Sequence, residues 1–277
     1  MGRTKDALKL AIGRLAELAF PQMAHEIDEA RNTAQAPMFK RAILHARLQR
    51  SKARGDHGAV EKALSAFWKS NAGDAFHENY SDVRFELFLE RHYMVIDALC
   101  DLLERNESRF HRLVEIGCGD GRVLAHCFEQ MPAISSAVGL DINAAIIKRV
   151  SAEHDPADGL AFVEADGTAW LESNPAPGTV LFSNGGVLEY FSPKNLDRLF
   201  RTLAAHPPAA VVLIEPVALD HDLENECESK VFGYESSFSH NHRYRLNHAG
   251  FEVLHCTELR IGDVRWLLML GACPSGP

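Results

Sequence analysis

The chain has no paired cysteines. Its six (Cys100, Cys118, Cys127, Cys227, Cys256 and Cys273) are scattered without a Cys-x-x-Cys pair, which argues against a disulfide framework and a zinc ribbon. Long apolar runs are also missing, so no segment reads as a membrane span. Positive charge is scarce: 29 Lys and Arg face 38 Asp and Glu, a formal net charge of −9. That balance excludes a general affinity for nucleic acid or an anionic membrane. The deficit is local, because residues 1–110 carry 17 basic against 16 acidic groups and residues 111–277 carry 12 against 22. Met1 to Asp6 lead into an amphipathic pattern and not an apolar leader. A reducing, cytoplasmic location is therefore expected. What is present is ordinary globular composition over 277 residues, 46% hydrophobic and 24% charged. That is enough chain for one large domain or two small ones.

Two grammars follow one another. Residues 1–108 read as helices forming an N-terminal cap. Leu8, Ala11, Ile12, Leu15 and Leu18 fall at helical spacing up to Pro21. A second helix is expected over 38–53, basic on its outer face, and a third over 59–70. A polar loop is expected from Asn71 to Ser81, and then one wide apolar stripe from Phe85 to Leu103. From 109 to 277 strands and helices alternate. Strands are expected at 113–116, 137–141, 161–164, 180–183 and 211–214. A helix opens on Ser192-Pro193, a good N-cap and first-turn pair. A helix near 240–249 and two final strands, 251–259 and 265–273, joined at Ile261-Gly262-Asp263, close the chain. Such alternation implies a parallel sheet covered by helices on both faces, with a terminal hairpin that the plain dinucleotide fold lacks.

The chemistry concentrates where the first strand meets its helix, at Glu115-Ile116-Gly117-Cys118-Gly119-Asp120-Gly121-Arg122. A glycine turn at the carboxyl end of a parallel strand is where open α/β sheets bind ligands. Asp141 ends the second strand at the place for a carboxylate that grips a ribose diol. Arg122 breaks the Gly-x-Gly-x-x-Gly dinucleotide pattern, and no Gly-Lys-Ser/Thr phosphate loop is present.

The ordered set Glu-Ile-Gly-Cys-Gly-Asp-Gly, Gly-Leu-Asp-Ile-Asn, Glu-Ala-Asp-Gly and Phe-Ser-Asn-Gly-Gly resembles the motifs of class I S-adenosylmethionine-dependent methyltransferases over about residues 110–275. The resemblance implies a Rossmann-like seven-stranded sheet of order 3-2-1-4-5-7-6 with strand seven antiparallel. It implies S-adenosylmethionine as cofactor. Gly117, Gly119 and Gly121, with Glu115 beside them, would lie along its amino-acid portion. Asp141 would hold the ribose, Ile142 would pack on the adenine, and Asp166 with Gly167 would meet the adenine edge. Ser183 and Asn184 would face the methionine. Tyr80 and Arg84 are added as groups that could close over the site. The fourth-strand sequence departs from the Asn/Asp-Pro-Pro-Tyr of nucleic-acid amino methyltransferases.

An oxygen or nitrogen acceptor must lose a proton, so a base is needed near the methyl group. Tyr190, His240 and Glu189 are the candidates, with Tyr234, His242 and Glu215 nearby in sequence. The spacing of His240, His242 and His248 suits no metal, and none is expected. The leading expectation is a small-molecule methyltransferase, with a possible homodimer through the helical cap. Two rivals remain: a lyase or cyclase that consumes S-adenosylmethionine alone and releases methylthioadenosine, and a protein that binds the cofactor without turnover.

Overall fold

The computed structural model describes residues 2–19, 38–105, 109–154, 158–233, 236–262 and 264–273. The chain divides into two compact units, Met1–Phe76 and His77–Pro277. The boundary falls inside a helix.

In the first unit, α1 (Gly2–Ala19) packs on α2 (Met38–Ala53). Glu17 joins the two by accepting from Arg47 Nε at 2.9 Å and Arg50 Nη2 at 2.7 Å. The small residues Gly13 and Ala16 face inward, while Leu15 and Leu18 are 67% and 80% exposed. The helical spacing is observed, and its Leu15 and Leu18 point outward. α3 (His57–Trp68) is capped by Asp56, whose side chain accepts from Ala59 N–H at 3.0 Å. The loop expected over 71–81 is instead the first half of α4 (Asn71–Arg91). Gly73 signals close packing there and not a break: a Cβ on it would lie 2.5 Å from the Trp68 carbonyl oxygen.

In the second unit the expected single stripe from Phe85 to Leu103 is two helices. α4 ends at Arg91, and α5 (Tyr93–Arg105) begins after His92. The sheet contains β1 (Arg112–Ile116), β2 (Ser136–Asp141), β3 (Leu160–Glu164), β4 (Thr179–Asn184), β5 (Ala209–Val217), β8 (Glu252–Ile261) and β9 (Val264–Cys273), in the order β3-β2-β1-β4-β5-β9-β8. The first five run parallel, and β9 is antiparallel to both β5 and β8. The expected order and the antiparallel final strand are both observed. β5 is buried throughout, as a strand covered on both faces should be.

The face of Phe182, Val212 and Leu268 is covered by Phe88, by Leu99 of α5 and by Leu124 of α6 (Arg122–Gln130). The other face is covered by α8 (Gly167–Ser173), α9 (Pro193–Ala204) and α10 (His242–Ala249), through Leu171, Leu199 and Leu246. Ile147 and Val150 of α7 (Ala144–Ser151) join Cys118 in a smaller cluster. The segment between β5 and α10 holds a short hairpin, β6 (Lys230–Phe232) and β7 (Ser237–Ser239). Tyr234 and Asp263 lie outside the described residues.

Candidate functional site

The parallel strands deliver their carboxyl ends to one edge, and the motif residues meet there. Leaving β1, the chain turns through Gly117, Gly119 and Gly121, all at positive φ (72°, 53° and 75°). Gly117 and Cys118 donate N–H bonds to the Leu140 carbonyl at 2.7 and 3.0 Å, which fastens the turn to β2. Asp141 ends β2 and is buried. Its Oδ2 accepts from Gly119 N–H at 3.2 Å and its Oδ1 from Asn143 N–H at 2.9 Å. One carboxylate thus spans the two loops that a nucleoside would lie between. Ile142 is half-buried beside it.

Asp166 is exposed and caps α8, accepting from Ala169 N–H at 2.9 Å. Gly167 is packed on Ile116, and the neighbouring Thr168 hydroxyl is buried without a hydrogen-bond partner. At the end of β4, Ser183 Oγ donates to Glu215 Oε1 at 2.6 Å, so this hydroxyl is engaged inward. Asn184 Oδ1 is buried without a partner. It faces His92 closely enough to favour that ring's protonated form, but outside hydrogen-bond geometry. Burial dominates and holds the His92 pKa down at about 4.

Glu115, on β1, is buried and its Oε2 has no partner. Burial, then the charge of Asp120, push its carboxyl well above the ordinary range; the nearby Arg84 opposes them, and Asp141 adds to the rise. Buried polar atoms are nearly always satisfied. Glu115 Oε2, Asn184 Oδ1 and Thr168 Oγ1 therefore mark places where a polar ligand would complete the structure. The residues fit an S-adenosyl group: a tight glycine turn at the strand edge, an acid between two loops, and unmatched oxygens for an ammonium and adenine edge.

Arg84, expected to close over the site, belongs to a wall that also brings His77 and Ser81. The His77–Phe88 part of α4 lies across the glycine turn. A Cβ on Gly119 would lie 2.9 Å from His77 Nδ1. The Ser81 hydroxyl bonds the Asp120 carboxylate. Arg122 pairs with Asp82 at 2.6 Å and stands 4.4 Å over the Phe85 ring. Arg84 Nη2 donates to the Gly185 carbonyl at 2.8 Å. His77, Ser81, Arg84 and Phe88 sit at i, i+4, i+7 and i+11, one helix face. That spacing was legible but was hidden by the assignment of 71–81 to a loop. Tyr80, by contrast, is 51% exposed.

The three candidate bases separate. Glu189 and Tyr190 lie half-buried on a 3₁₀ turn, Leu188–Tyr190, just past β4. His240 is completely buried with both ring nitrogens engaged. Arg245 Nη2 donates to Ser229 Oγ at 2.7 Å, which directs the Ser229 proton to His240 Nδ1 at 2.6 Å. His240 Nε2–H then donates to the Phe191 carbonyl at 3.1 Å. Burial, then His242 and Arg245, hold its pKa well below the usual value. The expectation of His240 as a base is corrected accordingly: it is a neutral strut under the β4 loop, with no nitrogen left for an acceptor's proton. Among the described residues no group of three His, Cys, Asp or Glu could hold a metal, and no helix is long and apolar enough to cross a membrane.

Residues 113–206 match the family model described as a methyltransferase domain. No curated protein sequence matches the chain. Among solved structures, magnesium protoporphyrin IX methyltransferase from Synechocystis PCC 6803 resembles it with bound S-adenosylhomocysteine (SAH; TM-score 0.54, 13% identity, 76% of this chain and 98% of that one). The same enzyme with bound S-adenosylmethionine gives a TM-score of 0.52 at 13% identity, over 76% of this chain and 96% of that one. A 1,6-didemethyltoxoflavin-N1-methyltransferase from Burkholderia thailandensis aligns at TM-score 0.46 and 13% identity, over 73% of this chain and 87% of that one. At such identities the likeness is one of fold.

Proposed function

We propose that this chain, which carries a class I S-adenosylmethionine-dependent methyltransferase domain, transfers the methyl group to an oxygen or nitrogen of a small-molecule acceptor. The observation that carries the proposal is the meeting, at one sheet edge, of the glycine turn, Asp141 and the unmatched oxygens of Glu115 and Asn184. S-adenosylmethionine supplies an electrophilic methyl carbon on a sulfonium, so the protein's task is placement and exclusion of water. Asp141 would accept from the ribose hydroxyls while it keeps the two loops together. Asp166 and the backbone at Gly167 would read the adenine edge. Glu115 and Asn184 would accept from the ammonium of the methionine end. Glu189 and Tyr190 stand on the turn past β4, where a base would take the acceptor's proton.

The rival in which S-adenosylmethionine reacts alone asks for an aromatic seal by Tyr80, Tyr190 or Phe191. Tyr80 is too exposed to supply that seal, which leaves it to Tyr190 or Phe191. Incubation with S-adenosylmethionine and a panel of small hydroxyl and amine compounds should yield SAH and a product heavier by one methylene unit. Methylthioadenosine formed without any acceptor would instead establish the lyase reading.

A further inference from the structure

Glu215 is a buried carboxylate for which methyl transfer has no direct use. It lies in β5, is fully buried, and pairs in register with Leu267 of β9. Its Oε1 accepts from Ser183 Oγ at 2.6 Å and its Oε2 from Leu188 N–H at 3.1 Å. The backbone N–H groups of Val187 and Glu189 also favour its ionised form. Three successive amides of the loop past β4 thus converge on one carboxylate. That loop reaches the cofactor side directly: a Cβ on Gly117 would come within 2.5 Å of Val187 Cγ2.

We propose that Glu215 is a positioning residue of the cofactor site, its carboxylate holding the 187–189 turn so that Val187 closes on Gly117. This rests on the reading of the 117–121 turn as the S-adenosyl cradle. Charge-assisted bonds from backbone amides are stronger than neutral ones, so the ionised carboxylate grips the turn and the neutral acid releases part of it. Burial pushes the Glu215 pKa up to about 7, against the opposing bonds from Ser183 and the turn. The grip therefore strengthens as pH rises through neutrality.

The groups that face the same loop are Ser183 on β4, Glu189 and Tyr190 on the turn, His240 beneath Phe191, Arg84 at Gly185, and His92 opposite Asn184. His240 and His92 are both held neutral in this range. Glu115, buried on β1 across the site with its carboxyl pushed well above the ordinary range, is the other buried acid there, so the part of a pH profile that belongs to Glu215 is the part that a Glu215 variant removes.

The test is calorimetry with SAH from pH 6 to 8.5. Wild-type affinity should rise through about pH 7. Glu215→Gln should bind about tenfold more weakly at pH 8 and lose the rise through about pH 7, because its amide cannot ionise. Ser183→Ala removes a hydroxyl that favours the ionised form and should move the midpoint to higher pH, which a merely structural role would not do. Equal affinities with the pH profile retained in Glu215→Gln would overturn the proposal. Should Glu215→Gln not fold, the wild-type profile and the Ser183→Ala midpoint decide alone. If the wild type binds no SAH, the cradle reading fails. The grip is then judged by amide-exchange protection factors at 187–189, each taken against the intrinsic rate at the same pH: larger above pH 7 if it exists, constant with pH if it does not.

Discussion

Replacing Asp141 by alanine is expected to weaken binding of S-adenosylmethionine at least about 100-fold. Two hydrogen bonds from ribose hydroxyls to one carboxylate, each contributing roughly 1.5–3 kcal/mol, account for a loss of that order. The variant also leaves the Gly119 and Asn143 amides without the acceptor that ties the glycine turn to the β2 loop. Asp141→Asn should fall between the two, since its amide oxygen can serve only one of those N–H groups while its NH₂ repels the other. Equilibrium dialysis with labelled cofactor at one pH measures all three proteins. An Asp141→Ala protein that retains wild-type affinity would place the ribose elsewhere.

Gly117→Ala is expected to lower unfolding free energy by about 2–5 kcal/mol. Roughly 1–2 kcal/mol comes from forcing a Cβ into left-handed backbone, and overpacking adds about 1–3 kcal/mol. The residue has φ +72°, and the added atom would meet both Val187 methyl groups, at 2.5 and 2.7 Å. Truncating the obstacle should separate the two costs. The Gly117→Ala/Val187→Ala double variant should regain the packing part and keep the backbone part, so that the two changes are non-additive. Urea unfolding of the four proteins reads this directly. Strict additivity would mean that Val187 does not touch the turn.

The sheet could be read in the sequence because each strand and its helix declare their own period. Leu113 to Ile116, Ala137 to Asp141 and Val180 to Ser183 are short apolar runs closed by glycine or acid. The helix after Ser192-Pro193 carried its own start signal, and the structure shows Ser192 Oγ accepting from Asn195 N–H at 3.4 Å. The candidate cradle was expected from the resemblance, and its residues sit where parallel strands end, so the structure brings Gly117, Asp141 and Asn184 to one sheet edge.

What stayed hidden depended on tertiary context. Gly73 and the polar run up to Ser81 read as a loop, since nothing local reveals that Trp68 approaches too closely for a side chain at 73. Leu15 and Leu18 fall at helical spacing, but the helix–helix contact is made by Gly13 and Ala16, where small residues admit a close neighbour. His240 read as a base because histidine is chemically apt. Only the three-dimensional chain from Arg245 through Ser229 to Phe191 shows both nitrogens in use. Glu215 offered no local signal either, because its partners come from β4 and the turn beyond it.

Isothermal titration of the wild-type chain with S-adenosylmethionine tests the cradle most directly. Saturable heat at one molecule per chain, with a dissociation constant of about 100 μM or tighter, corresponds to roughly 5 kcal/mol or more of binding free energy and is the expected result. A flat titration into the millimolar range, with a folded protein in the cell, would contradict it.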